Sequence, residues 1–127
     1  MAFRVPIDEP QPSQLLIDGS KLADAAVWFD FDAPEYDPLP VREFDGELVL
    51  LDGHTRGLLA VLAGADRLRV ERDTDDDHER LYRECVAWCR EEEVTSVRDL
   101  VGRVVSHETH ETEWVERCHR AAERLEK

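Results

Sequence analysis

Leu50-Leu51-Asp52-Gly53-His54-Thr55-Arg56-Gly57-Leu58-Leu59-Ala60 is the stretch whose reading decides the fold. It leaves an apolar strand, turns at Gly53 and enters a segment whose apolar residues recur at helical spacing, so a strand, a turn and a helix are predicted in direct succession. Polar groups therefore crowd onto a helix N-terminus. Backbone N–H groups there lack intrahelical partners, the helix dipole favours negative charge, and His54 and Arg56 add donors, which together predict an anion site with phosphate as its natural guest.

Upstream, residues 39–44 and 47–51 read as two strands joined by Asp45-Gly46, the strongest short-range hairpin signal. The second strand is apolar nearly throughout, which suits burial on both faces. Further back, residues 3–7 alternate as a short edge strand containing Pro6. Pro10 and Pro12 then impose an extended loop, and a helix is predicted over 21–29 with Leu22, Ala25, Ala26 and Phe29 on one face. Downstream of the junction, the helix over 54–63 carries Leu58, Leu59 and Leu62 on its buried face and ends at Gly64; residues 67–71 alternate as a strand.

The remainder reads as helical. Asp75-Asp76-Asp77 marks a helix start, with Leu81, Tyr82, Cys85, Val86, Trp88 and Cys89 at helical spacing behind it. Thr95 or Ser96 caps a second helix bearing Val97, Leu100, Val101 and Val104, and a third runs from about 111 to 125. The expected fold class is α+β: a small mixed sheet of three or four strands over 1–73, with a helical extension over 74–127 packed on it as one domain.

Composition narrows the function classes. A chain of 127 residues with 42% hydrophobic content can bury a core without disulfides or metal staples. The net charge of −14 is spread along the chain: residues 1–74 carry 15 acidic and 7 basic groups, residues 75–127 carry 15 and 9. With 14 Arg against two Lys, Lys21 and Lys127, this balance points to adaptation to high salt, a halophilic acidic protein. No basic stripe is present to neutralise nucleic-acid phosphates, which argues against DNA as a partner. No segment is long and apolar enough for a membrane span, no cleavable signal opens the chain, and three cysteines in helical positions fit a reducing compartment; a cytoplasmic location is expected.

The order of elements resembles a known family. A proline-rich first loop with Pro12-Ser13-Gln14, a helix, a strand opening Pro40-Val41, an Asp-Gly hairpin, and a strand ending in Asp52-Gly53-His54-Thr55-Arg56 together resemble the ParB/sulfiredoxin-like family over about residues 5–72. Members include ParB N-terminal domains, which bind and hydrolyse CTP, sulfiredoxin, which uses ATP, and the free serine kinase, which uses ADP and whose motif is the nearest. The resemblance implies a nucleotide (ATP, ADP or CTP, with Mg²⁺) or a small phosphorylated ligand held at Gly53, His54, Thr55 and Arg56, with Asp52 and His54 as candidate catalytic residues. This chain departs from the pattern in two places. The reactive Cys that sulfiredoxin carries in this junction is replaced by His54, and the carboxylate base that the kinase carries in its first loop is replaced by Ser13-Gln14.

Two activities follow from such a site: binding alone, or transfer and hydrolysis of a phosphoryl group as a small-molecule kinase or nucleotide hydrolase. A protein-interaction module without ligand is the third reading. No metal site is assigned: Cys85, Cys89, Cys118 and His119 lack the usual knuckle spacing of structural zinc and read as buried thiols beside a surface His. His107 and His110 read as solvated residues around a helix start, and Trp28, Trp88 and Trp114 as core.

Overall fold

The computed structural model describes residues 1–75 and 77–126. The first half contains β1 (Ala2–Pro6), β2 (Gln11–Pro12), β3 (Ile17–Asp18), α1 (Gly19–Trp28), β4 (Leu39–Phe44), β5 (Glu47–Leu50), α2 (His54–Leu62) and β6 (Arg67–Arg72). The second half contains α3 (Glu79–Glu91), a 3₁₀ helix (Val97–Arg103), β7 (Val104–Val105), α4 (His107–His110), a wider π-helical turn (Glu111–Val115) and α5 (Glu116–Leu125).

Asp45 and Gly46 both adopt positive φ (55° and 82°), the turn geometry that matches the twist of a two-residue hairpin, and β4 and β5 pair antiparallel across it. β6 returns parallel to β4, β1 pairs antiparallel with β6, and β2 pairs parallel with β5, giving the order β1-β6-β4-β5-β2. β5 is buried on both faces as its composition predicts. Its pleat sends Leu48 and Leu50 into the main core with Leu39, Val41, Leu68 and Val70, and Val49 into a second cluster that Phe44, Leu51 and Val86 of α3 complete.

The sheet therefore has five strands rather than three or four, and β3 with β7 forms a separate parallel pair. The extra strands are two residues long, too short to leave a periodicity in the sequence. The pairing of Ile17 with Val104 and Asp18 with Val105 matters for function, because it carries Asp18 up against the start of α4. Gly19 permits that approach: a Cβ there would lie 2.9 Å from the Val105 carbonyl oxygen.

Several expectations are corrected. Trp28 is exposed at the end of α1 beside Val27, because the packed face of that helix turns toward Phe29; Leu62 is likewise exposed at the end of α2. The acidic run after β6 does not begin a helix. Its side chains bond to nearby backbone instead, Asp73 accepting from the Asp75 N–H and Asp75 from the Asp77 N–H, and α3 starts at Glu79; the expectation for Asp76 lies outside the described residues. Ser96 does cap the next helix, reciprocally with Asp99, but that helix is 3₁₀ and gives way to β7 at Val104. The main core takes residues from both halves, from Val5 to Trp114. Among the described residues, no helix is long and apolar enough to cross a membrane.

Candidate functional site

α2 starts where sequence reasoning put it. Gly53 precedes it at φ +79°, no side chain caps its first turn, and a Cβ at Gly53 would lie 2.7 Å from Leu39 Cδ2 and 3.0 Å from Arg56 Nη2. Only glycine tolerates both the left-handed backbone and the buried Leu39 beneath it. The uncapped end opens on a cavity of about 210 Å³. Asp52, Gly53, His54, Thr55 and Arg56 line one wall; Gln14 comes from the first loop, Asp18 and Lys21 from the start of α1, and His110 from α4.

His54 is 2% exposed and ties the first loop to the junction. Its Nε2 accepts the Ser13 N–H at 3.0 Å, while the Ser13 hydroxyl donates to the Leu50 carbonyl at 2.6 Å. An accepting Nε2 leaves the ring proton on Nδ1, which has no protein partner. Burial lowers the His54 pKa to about 4, against an opposing pull from the Asp52 charge, so the ring is neutral and brings the site no positive charge. The unfolded chain takes up this proton near 6.5 and the folded chain near 4, so the group removes stability as pH falls through that window. The His54 ring resonances are expected to titrate near pH 4 in the folded protein; an NMR midpoint near 6.5 would show that the ring is not buried as described.

Positive charge comes from Arg56 and Lys21. Arg56 folds back over Gly53, with Nη1 donating to the Asp37 carbonyl at 3.3 Å, and Lys21 lies exposed on the opposite wall. Asp52 is exposed, and among the described residues its carboxylate has no hydrogen bond or ion pair, unlike Asp18. Asp18 is 1% exposed; one oxygen accepts the Ser20 N–H and the other pairs with His107 Nδ1 at 2.6 Å. Burial pushes its carboxyl up, but the bonds from His107, Ser20 and Lys21 outweigh burial and hold it below the usual range. The same pair raises the His107 pKa.

His110 is the residue local sequence reasoning misplaced most. Far from solvated, it is 5% exposed, burial lowers its pKa, and neither ring nitrogen has a hydrogen-bond partner. Its place depends on the β3–β7 pairing, which no local pattern reveals. The signal that was available is the spacing of His107, His110 and Glu111 at i, i+3 and i+4, one face of a helix turn.

Among the described residues, the grouping of metal-ligating side chains takes in none of the cysteines. The neighbouring Cys118 together with burial keeps the Cys85 thiol protonated; burial pushes Cys89 up to about 12. His119 is exposed. Trp88 and Trp114 pack edge to face with ring centroids 5.8 Å apart, a core contact as expected.

A larger cavity of about 440 Å³ is lined by Glu9, Glu43 and Glu47, with Arg72 already paired to Glu43, so its charge is net negative and disfavours an anion. The α2 terminus is the better anion site. At about 210 Å³ it is smaller than the ~300–1,000 Å³ typical of pockets that enclose a drug-sized ligand. It has room for a phosphate group, with any nucleoside projecting outside.

No protein-family model matches the chain, and no curated protein matches it by sequence. Solved structures do match in fold. Protein Atu1540 from Agrobacterium tumefaciens superposes with a TM-score of 0.50 at 12% identity, over 79% of this chain and 61% of that protein. Sulfiredoxin from Arabidopsis thaliana superposes with a TM-score of 0.46 at 16% identity, over 65% of this chain and 97% of sulfiredoxin. The fold shared with Atu1540 is of the α+β type, a mixed sheet with helices packed on it.

Proposed function

We propose that this ParB/sulfiredoxin-like chain binds the phosphate of a nucleotide or small phosphorylated ligand at the N-terminus of α2. The observation that carries the reading is the uncapped helix end at Gly53, opening on a cavity bordered by Arg56 and Lys21. Free backbone N–H groups at a helix end, a positive dipole and two cationic side chains suit an oxyanion. The glycine lets that oxyanion approach the backbone closely.

Titration with inorganic phosphate and with ATP, ADP or CTP plus Mg²⁺, in molar KCl, is expected to move the amide resonances of residues 53–57. Arg56→Ala should weaken binding by roughly ten- to a hundredfold, the loss of a charge-assisted hydrogen bond of about 1.5–3 kcal/mol. Unmoved resonances at 53–57 with every ligand, in a folded sample, would leave the interaction-module reading.

One observation favours a second reading, that the site also turns its ligand over. Asp52 stands at the cavity with a carboxylate committed to no other group among the described residues, and such a carboxylate can orient a hydroxyl or hold Mg²⁺ against a bound phosphate. His54 has its Nε2 occupied by Ser13 and serves here as a positioning residue for the loop. Phosphate release or transfer that disappears in Asp52→Asn while binding persists would support the enzyme; binding without turnover supports the sensor.

A further inference from the structure

The geometry points to a second site adjoining the first: a divalent first-row transition-metal ion held by Asp18, His107, His110 and Glu111, where β3 and α4 meet. Its place does not depend on the phosphate reading, although Asp18 and His110 also line that cavity.

Three observations converge on it. First, one donor atom each from Asp18, His107 and Glu111 lies within 4.8 Å of the others, a grouping that no other described His, Cys, Asp or Glu residues reproduce. Second, His110 turns Nδ1 toward the same carboxylate, 4.0 Å from Asp18 Oδ2, and both of its ring nitrogens are buried without a partner. A buried imidazole with no hydrogen bond keeps an unrelieved desolvation cost, which a metal bond would remove. Third, the surroundings orient the donors as a metal site requires. Asp18 Oδ1 is fixed by the Ser20 N–H, so Oδ2 alone turns to the histidines, and the β3–β7 pairing with Gly19 sets the spacing of the two elements.

Distances agree with the chemistry. Donors bonded at about 2.1 Å to one tetrahedral ion lie about 3.4 Å apart. The Asp18–His107 and Asp18–His110 separations of 2.6 and 4.0 Å bracket that value, so side-chain shifts of under about 1 Å bring these three together. Glu111, whose carboxylate lies 4.0 Å from the far ring nitrogen of His107 and within 4.8 Å of the grouped donors, is exposed and swings in to complete the set. The ion takes the place of the proton now shared by Asp18 and His107, and that proton leaves to solvent. Two imidazoles with two carboxylates select zinc, cobalt, manganese or ferrous iron over magnesium and calcium, which prefer oxygen alone.

The test uses the full chain, stripped with chelator, in molar KCl and without phosphate or nucleotide, so that its failure and the failure of the phosphate reading are separable. Titration with Co²⁺ should give visible ligand-field bands saturating at one equivalent, with no thiolate charge-transfer band, and Zn²⁺ should displace the colour. Glu111→Gln alters an exposed side chain and His107→Gln keeps an amide donor for the buried Asp18, so both variants should stay folded by circular dichroism while binding Co²⁺ about a hundredfold more weakly. His119→Ala should bind as the parent does. A thiolate band, unchanged affinity in both ligand variants, or no saturation at millimolar Co²⁺ would each overturn the proposal.

Discussion

Gly53→Ala is expected to lower the melting temperature by roughly 10–15 °C, measured in molar KCl, and to abolish anion binding at α2. Two costs add. A non-glycine residue at φ +79° costs about 1–2 kcal/mol in backbone strain. The new Cβ also meets Leu39 Cδ2 at 2.7 Å, and Leu39 is fully buried in the strand beneath, so the core must shift at about 1–3 kcal/mol. Gly64 separates the two contributions. It has φ +82° and nothing within 4 Å of the point a methyl carbon would occupy, so Gly64→Ala should lose the backbone cost alone, about 1–2 kcal/mol. Equal melting temperatures for the two variants would mean that the junction is not packed against β4 as described, and with it would go the reason a phosphate can approach the backbone there.

This junction was also the most legible part of the chain, and the reason is physical. The hairpin, α2 and its two glycines are specified by neighbours in sequence: Asp45-Gly46 sets the turn, the Leu48–Leu51 run sets a strand buried on both faces, and Gly64 closes the helix at φ +82°. What stayed hidden is specified across distance. β3 and β7 pair residues 17–18 with 104–105, and two-residue strands carry no alternation. Because that pairing carries Asp18 and His110 to the cavity, their part of its wall was invisible from local pattern, while the part from Asp52 to Arg56 was plain. The acidic run failed for a different reason. Carboxylates at a helix start and carboxylates in successive turns have the same composition, and the backbone bonds of Asp73 and Asp75 decided for turns.

Raising KCl from 0.1 M to 1 M is expected to raise the melting temperature by roughly 15 °C. A net charge of −14 on a folded sphere of about 18 Å radius repels itself more than the same charge spread over an unfolded coil of about 47 Å. With Debye lengths of about 10 Å and 3 Å at the two salt concentrations, the excess repulsion in the folded state falls by on the order of 4 kcal/mol. Salt also weakens the surface pairs, such as Arg72 with Glu43 and Arg98 with Asp8, but exposed pairs contribute only about 0–1 kcal/mol each and lose part of that, so relief of repulsion wins. Neutralising Glu91, Glu113 and Glu123 to Gln tests the cause, since these exposed carboxylates have no ion pair among the described residues. Self-repulsion grows with the square of the net charge, so three charges fewer should shrink the salt response by about two fifths. A melting temperature unchanged by KCl would remove the high-salt reading of the composition. A salt response that persists in full in the triple variant would assign it to specific ion binding instead of overall charge.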